Sequence, residues 1–192
     1  YPCSSIYQPD PTMPMGPVNP LPALTNGFVT FGSLTRSIRL NGRVIKTWSD
    51  ILKKVPHSKL IIDSKSFQND EARENFIKKF ELNGITKDRL DIGFNSPPWD
   101  TLRKIDIGLD CFPHNSGTTL LEHLYMGNPF ITYSNRPSVG KIGASILTTL
   151  GHREWIATSE QEYIDKAVAL ASDTEKLAEI RNTLRTKLKT SP

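Results

Sequence analysis

DIGLDCFPHNSGTTLLEHLYMGNPFIT, residues 106–132, is the stretch whose reading decides the fold. With Ile105 before it, Asp106-Ile107-Gly108-Leu109 is a short apolar run bounded by turn formers, the pattern of a buried strand. A polar loop follows, His114-Asn115-Ser116-Gly117, and two threonines then open an amphipathic helix with Leu120, Leu121, Leu124 and Tyr125 on one face. Gly127 and Pro129 stop that helix, and Phe130-Ile131-Thr132-Tyr133 reads as the next strand. Strand, Gly-Thr-Thr loop, helix and strand make a βαβ unit. The free N–H groups and the positive dipole end at such a helix start suit a phosphate.

Outward from this unit the same alternation continues in both directions. Upstream, residues 27–31, 59–64 and 89–94 read as strands. Asn41 is placed to cap a helix whose Val44, Ile45, Trp48, Ile51, Leu52 and Val55 keep helical spacing, and residues 70–83 read as a second helix ended by Gly84. Residues 99–104 have room for a couple of helical turns after the turn at Asn95-Ser96-Pro97-Pro98. Downstream, residues 141–150 are predicted helical and residues 155–158 a short strand. Ser159 with Glu162 forms a capping-box pattern for a helix to about residue 172, and a last helix spans residues 174–189. Alternating strands and helices without hairpin signals predict an α/β fold, a doubly wound parallel sheet of Rossmann-like type. Ligands of such sheets sit at the carboxyl ends of the strands. The arginine-bearing loop at 32–40, the turn at 95–98, the Gly-Thr-Thr loop and the loop at 138–141 all fall there.

Residues 1–26 hold Pro2, Pro9, Pro11, Pro14, Pro17, Pro20 and Pro22 of the 14 prolines in the chain. Proline withholds ladder donors and blocks helix interiors, so this segment is predicted to be an extended linker or a strap across another surface. Residues 27–192 are then the folded lobe. The chain opens on Tyr1 rather than Met, as a piece of a longer protein would. Charged residues make up 23% of the chain, and no apolar run approaches the length of a membrane span. Cys3 and Cys111 lie far apart without metal-ligand spacing and read as reduced thiols of a cytoplasmic protein. The net charge of +4 suits a nucleic acid or a phosphorylated small ligand. The late basic residues sit among leucines at helical spacing and no aromatic platform for bases accompanies them, which favours a solvated helix face over nucleic acid.

Thr119 is placed to cap its helix, with Glu122 completing the box, a role compatible with hydroxyls donating to an anion. Arg36 and Arg39 are either plain surface arginines or, given their place after a strand, the positive charge that a departing diphosphate needs. His114 and His123 have no metal-spaced partners. The absence of G-x-G-x-x-G and of a P-loop argues against a dehydrogenase or an ATPase, and neither a Ser-His-Asp ordering nor a paired-carboxylate motif stands out.

Several stretches, in order, resemble one family. They are Phe31-Gly32-Ser33-Leu34, Trp48-Ser49-Asp50-Ile51-Leu52, Val55-Pro56-His57-Ser58-Lys59-Leu60, Asp106-Ile107-Gly108-Leu109-Asp110, Asn115-Ser116-Gly117-Thr118-Thr119, Met126-Gly127-Asn128-Pro129 and Ile142-Gly143-Ala144-Ser145-Ile146-Leu147, with Glu162-Tyr163. The family is the O-linked N-acetylglucosamine transferases, especially bacterial forms with tetratricopeptide repeats. The resemblance runs from about residue 17 to the end. It implies the C-terminal, donor-binding lobe of a GT-B glycosyltransferase, metal-independent and inverting, with a UDP-sugar as substrate and no other cofactor. It also implies an acceptor Ser or Thr on a protein, and an N-terminal lobe and repeats elsewhere in the parent chain. Thr118 and Thr119 match the threonines that hold the donor diphosphate, Glu122 the acidic residue on the ribose, and Arg39, with Arg36 as the alternative, the lysine that neutralises the leaving group. Asn115, Ser116 and Gly117 complete the diphosphate loop, Pro97 and Trp99 fall at the uracil end, and Ser138 and Lys141 in the last loop.

The sequence departs from the family in three places. A Pro-x-Glu-Glu-His pattern, whose histidine stacks near the uracil, is shortened to Pro97-Pro98-Trp99-Asp100-Thr101-Leu102-Arg103, where Trp99 either offers a flat surface or packs its helix. Gly117 stands where some members have a histidine, and Ser138-Val139-Gly140-Lys141 replaces a His-x-Ser-Arg-like pattern. Other readings are a degenerate lobe kept for interaction or nucleotide sensing, and another GT-B enzyme such as a UDP-sugar epimerase.

Overall fold

The computed structural model describes residues 7–191. Cys3 and Pro2 lie outside the described residues. Six strands form one sheet in the order β3-β2-β1-β4-β5-β6. They are β1 Thr30–Leu34, β2 Lys59–Asp63, β3 Leu90–Gly93, β4 Ile107–Leu109, β5 Phe130–Tyr133 and β6 Ile156–Ala157. Every pairing is parallel, with Phe31 opposite Leu60 on one side and opposite Ile107 on the other. This is the doubly wound, Rossmann-like α/β arrangement that the alternation predicts. All five residues of β1 are buried, as a central parallel strand covered on both faces requires.

Helices α2 Gly42–Lys54, α3 Asp70–Glu81, α4 Trp99–Lys104, α5 Thr118–Tyr125, α6 Ile142–Leu150, α7 Glu160–Ala171 and α8 Thr174–Thr190 supply that cover. Leu60 and Ile62 of β2 enter the main core, with Trp48, Phe80 and Tyr163, while Ile61 between them joins Met15, Leu34, Leu102, Ile105 and Met126 on the other side. Asn41 caps α2 by accepting from the Arg43 and Val44 N–H groups, as its sequence position predicts. Ser159 caps α7, but the Glu162 carboxylate reaches one residue further back than a standard box, to the Thr158 N–H at 2.7 Å. The Trp48 indole donates to the Tyr163 hydroxyl at 3.2 Å, which donates to the Asp110 carbonyl at 2.9 Å, joining α2 and α7 to the end of β4.

The first strand begins at Thr30, three residues later than its predicted start at Gly27. Pro22–Asn26 turns into a short helix, α1, which ends on Gly27 at φ 75°, a left-handed geometry suited to glycine. The segment read as an extended linker therefore contains a helical turn, nucleated by a proline at its first position. Asp106 fixes this entry: its two carboxylate oxygens accept from the N–H groups of Ala23 at 2.9 Å and Thr30 at 2.8 Å. Upstream of α1 the segment crosses the lobe's own surface, burying Met15 and Leu21. Lacking proline N–H donors, it is held through its carbonyls. Arg103 binds the Met15 carbonyl, and Arg185 donates to the Gly16 carbonyl at 2.7 Å. Arg181, fully buried on α8, donates to the Asn19 carbonyl and side chain, the Ile105 carbonyl and the Asn128 side chain.

Candidate functional site

Neighbouring strands β1 and β4 continue into helices that leave toward opposite sides of the sheet, and the crevice between their carboxyl ends is where this fold accepts ligands. A cleft of about 660 Å³ opens there. Its walls are the loop after β1, the end of β2 with Ser64, Lys65 and Ser66, the turn after β3, and the start of α5.

The loop after β1 makes a 3-10 turn at Ser37–Arg39. It is tied to the end of β2, where the Ser37 N–H donates to Ser64 Oγ at 3.1 Å and its hydroxyl to Ser66 Oγ at 2.7 Å. That anchorage leaves Arg36 exposed and Arg39 half-buried, both lining the cleft. Among the described residues neither arginine has a carboxylate partner within ion-pair distance. Arg39 Nη2 lies 3.4 Å from His114 Nε2. Desolvation, with Arg39, Arg136 and Arg36 nearby, holds that imidazole below its ordinary range.

The opposite wall is built by Asp110, one residue past β4 and fully buried. Its Oδ1 accepts from the Ser116 N–H at 2.8 Å and its Oδ2 from the Thr132 hydroxyl at 2.7 Å. Burial pushes its carboxyl up to about 7 against these hydrogen bonds. Asn115 is buried too, donating to the Cys111 carbonyl at 2.9 Å and accepting from the Gly143 N–H at 3.3 Å. The Ser116 hydroxyl meets Thr35 Oγ1 at 3.1 Å, bridging the two loops across the switch point. Asn115 and Ser116 thus shape the loop from inside, while Gly117, Thr118 and Thr119 line the cleft.

Helix α5 starts at Thr118 with Gly117 at its N-cap and no side-chain cap. The predicted cap on Thr119, completed by Glu122, is therefore corrected. With Ser116 anchored on Asp110, the start falls two residues earlier, at Thr118, and Thr119 is already inside the first turn. The first-turn residues Thr118 and Thr119, at a helix start without a side-chain cap, line the same cleft as Arg36 and Arg39.

Other predicted site residues stand outside the lining of this cleft. Glu122 is half-buried on α5, with its carboxyl raised by desolvation. Pro97 is exposed after a cis Ser96–Pro97 bond, while its neighbours Ser96 and Pro98 line the cleft. Trp99 packs against the cluster of Met15, Leu34, Ile61 and Leu102. Ser138 and Lys141 are exposed, Ser138 at φ 58°, in a loop whose Val139 carbonyl accepts from the Asn115 N–H at 2.8 Å. Sequence reasoning missed Asp63 and Asp110. The available signal was a carboxylate closing an apolar strand at its carboxyl end. Among the described residues, no helix is long and apolar enough to cross a membrane.

The sequence pattern of glycosyl transferase family 41 matches residues 21–192. Among curated relatives, a probable UDP-N-acetylglucosamine–peptide N-acetylglucosaminyltransferase SPINDLY of Petunia hybrida is 40% identical over 190 residues, 97% of this chain and 20% of the relative. The chain thus spans about a fifth of the length of the curated relatives it matches. Among solved structures, an O-GlcNAc transferase mutant of Thermobaculum terrenum superposes with a TM-score of 0.85 at 29% identity, over 95% of this chain and 34% of that one. The C-terminal domain of a group 1 glycosyl transferase, LpcC of Francisella tularensis, shares the fold at a TM-score of 0.63 and 19% identity, over 90% of this chain and 92% of that one. A doubly wound lobe with this cleft at its switch point, matched over nearly its whole length, belongs to glycosyl transferase family 41, the family of the O-GlcNAc transferases.

Proposed function

We propose that this chain is the donor-binding lobe of a protein O-glycosyltransferase, holding the UDP of UDP-N-acetylglucosamine or a related UDP-sugar for transfer to Ser or Thr. One observation carries the reading: the uncapped start of α5 and two arginines without carboxylate partners line one cleft at the switch point. A diphosphate fits between them, accepting from the Thr118 and Thr119 N–H and hydroxyl groups on one side and from guanidinium groups on the other. As the acceptor oxygen attacks the anomeric carbon, the sugar–phosphate bond breaks and negative charge grows on the departing UDP. In this reading Arg39, with Arg36 beside it, stabilises that charge without a metal ion. Peptide N-acetylglucosaminyltransferases among the relatives support this choice of sugar and peptide acceptor. An acceptor-side lobe and tetratricopeptide repeats are assigned by this reading to the parent chain.

Calorimetry of the 192-residue chain with UDP tests the proposal. Binding is expected, weakened about tenfold or more by Arg39→Ala and by the double change Thr118→Ala/Thr119→Ala, the scale of lost hydrogen bonds to a charged group. No sugar transfer is expected from the lobe alone, because the acceptor side of the cleft lies outside it. Absence of binding at millimolar UDP would favour a lobe kept for interaction instead.

A further inference from the structure

The cleft has a second pole that its cationic side does not explain. Asp63 closes β2, is 6% exposed, and lines the cleft beside Ser64 and Lys65. Its Oδ2 accepts from the Asn95 N–H at 3.0 Å, from Asn95 Nδ2 at 3.1 Å and from the Thr101 hydroxyl at 3.4 Å. One carboxylate oxygen therefore clamps the turn after β3, including the cleft-lining residues Asn95, Ser96 and Pro98, onto the end of β2. Among the described residues, Oδ1 takes no protein donor and is not shut off from solvent.

A buried carboxylate accepting protein donors with one oxygen and open on the other is an arrangement for receiving a hydroxyl or N–H group. A nucleoside offers such donors. A diphosphate offers none. The other acid assigned to the ribose by resemblance, Glu122, does not line the cleft, which leaves Asp63 as the carboxylate on its wall.

We propose that Asp63 is a specificity-determining residue for the nucleoside half of the donor: Oδ2 positions the turn at residues 94–98, and Oδ1 accepts a hydrogen bond from the ribose or base. This rests on the reading of the cleft as a UDP-sugar site and adds to it the residue that tells UDP from a bare diphosphate.

The test is calorimetry of the 192-residue chain and its Asp63→Ala variant with two probes, UDP and inorganic pyrophosphate. Asp63→Ala is expected to weaken UDP about tenfold or more while changing pyrophosphate less than about twofold, since the α5 side is untouched. Retained pyrophosphate binding shows that the variant is folded. Asn95→Ala, which removes one turn contact and keeps the carboxylate, is expected to fall between wild type and Asp63→Ala for UDP alone. An unchanged ratio of UDP to pyrophosphate affinity in Asp63→Ala overturns the assignment and leaves the UDP reading standing. Failure of the wild-type chain to bind UDP overturns both.

Discussion

Asp110 ties its loop at Ser116 and strand β5 at Thr132 with one carboxylate, and its burial makes the lobe's stability depend on pH. Its carboxyl lies at about 7 against an ordinary 3.8, and that of Asp106 at about 6, each because burial disfavours the charged form. At these two sites the folded chain therefore binds more protons than the unfolded one between 3.8 and the raised values. The stability that Asp110 contributes is complete below 3.8 and is lost as pH rises through about 7. Buried His123, held down to about 3 from 6.5, acts with the opposite sign and costs stability as pH falls below 6.5. Comparing wild type with Asp110→Asn cancels the histidine. In urea unfolding at about pH 4.5 and about pH 7.5, wild type should lose stability relative to the variant at the higher pH. A difference that does not change with pH would contradict this. Such roles are faint in sequence. An aspartate after a strand is ordinary, and only the tertiary fold reveals that Asp63 and Asp110 are buried with protein donors on them.

At the scale of elements, α8 acts as the clasp for the N-terminal strap. Arg181 reaches Asn19 across 162 residues of chain, and its other hydrogen bonds go to Ile105 and Asn128. Burial lowers its guanidinium to about 10, which leaves it charged at neutral pH. Arg181→Ala removes these donors at once and strands buried carbonyls, so a loss of about 3–5 kcal/mol is expected. Urea unfolding measures it, and a loss below about 1 kcal/mol would show that the strap contributes little to the fold. The helices themselves were legible because their apolar spacing repeats over several turns, as in Val44, Ile45, Trp48, Ile51 and Leu52. The strap's course was not. Its prolines announce an extended path, but the arginines that hold it stand far away in sequence. The start of α5 was misread for a related reason: the Thr119–Glu122 box is a local pattern, and the Asp110–Ser116 hydrogen bond overrode it.

For the whole molecule, alternation of strand and helix predicts a parallel sheet but says little about which loops meet. The order β3-β2-β1-β4-β5-β6 does that, by placing the loops after β1 and β4 side by side. Arg36, Arg39, Gly117, Thr118 and Thr119 are brought to one cleft by this adjacency, whereas Pro97, Trp99, Glu122, Ser138 and Lys141 are not on its wall. The central claim is that UDP occupies this crevice with its diphosphate on α5. Backbone amide chemical shifts of the 192-residue chain, followed by NMR during a UDP titration, test it most directly. The largest changes should fall on Gly117, Thr118 and Thr119 and on the loop bearing Arg36 and Arg39. Changes gathered instead at the amino ends of the strands, around Phe28, Lys53, Lys59 and Arg89, would contradict it.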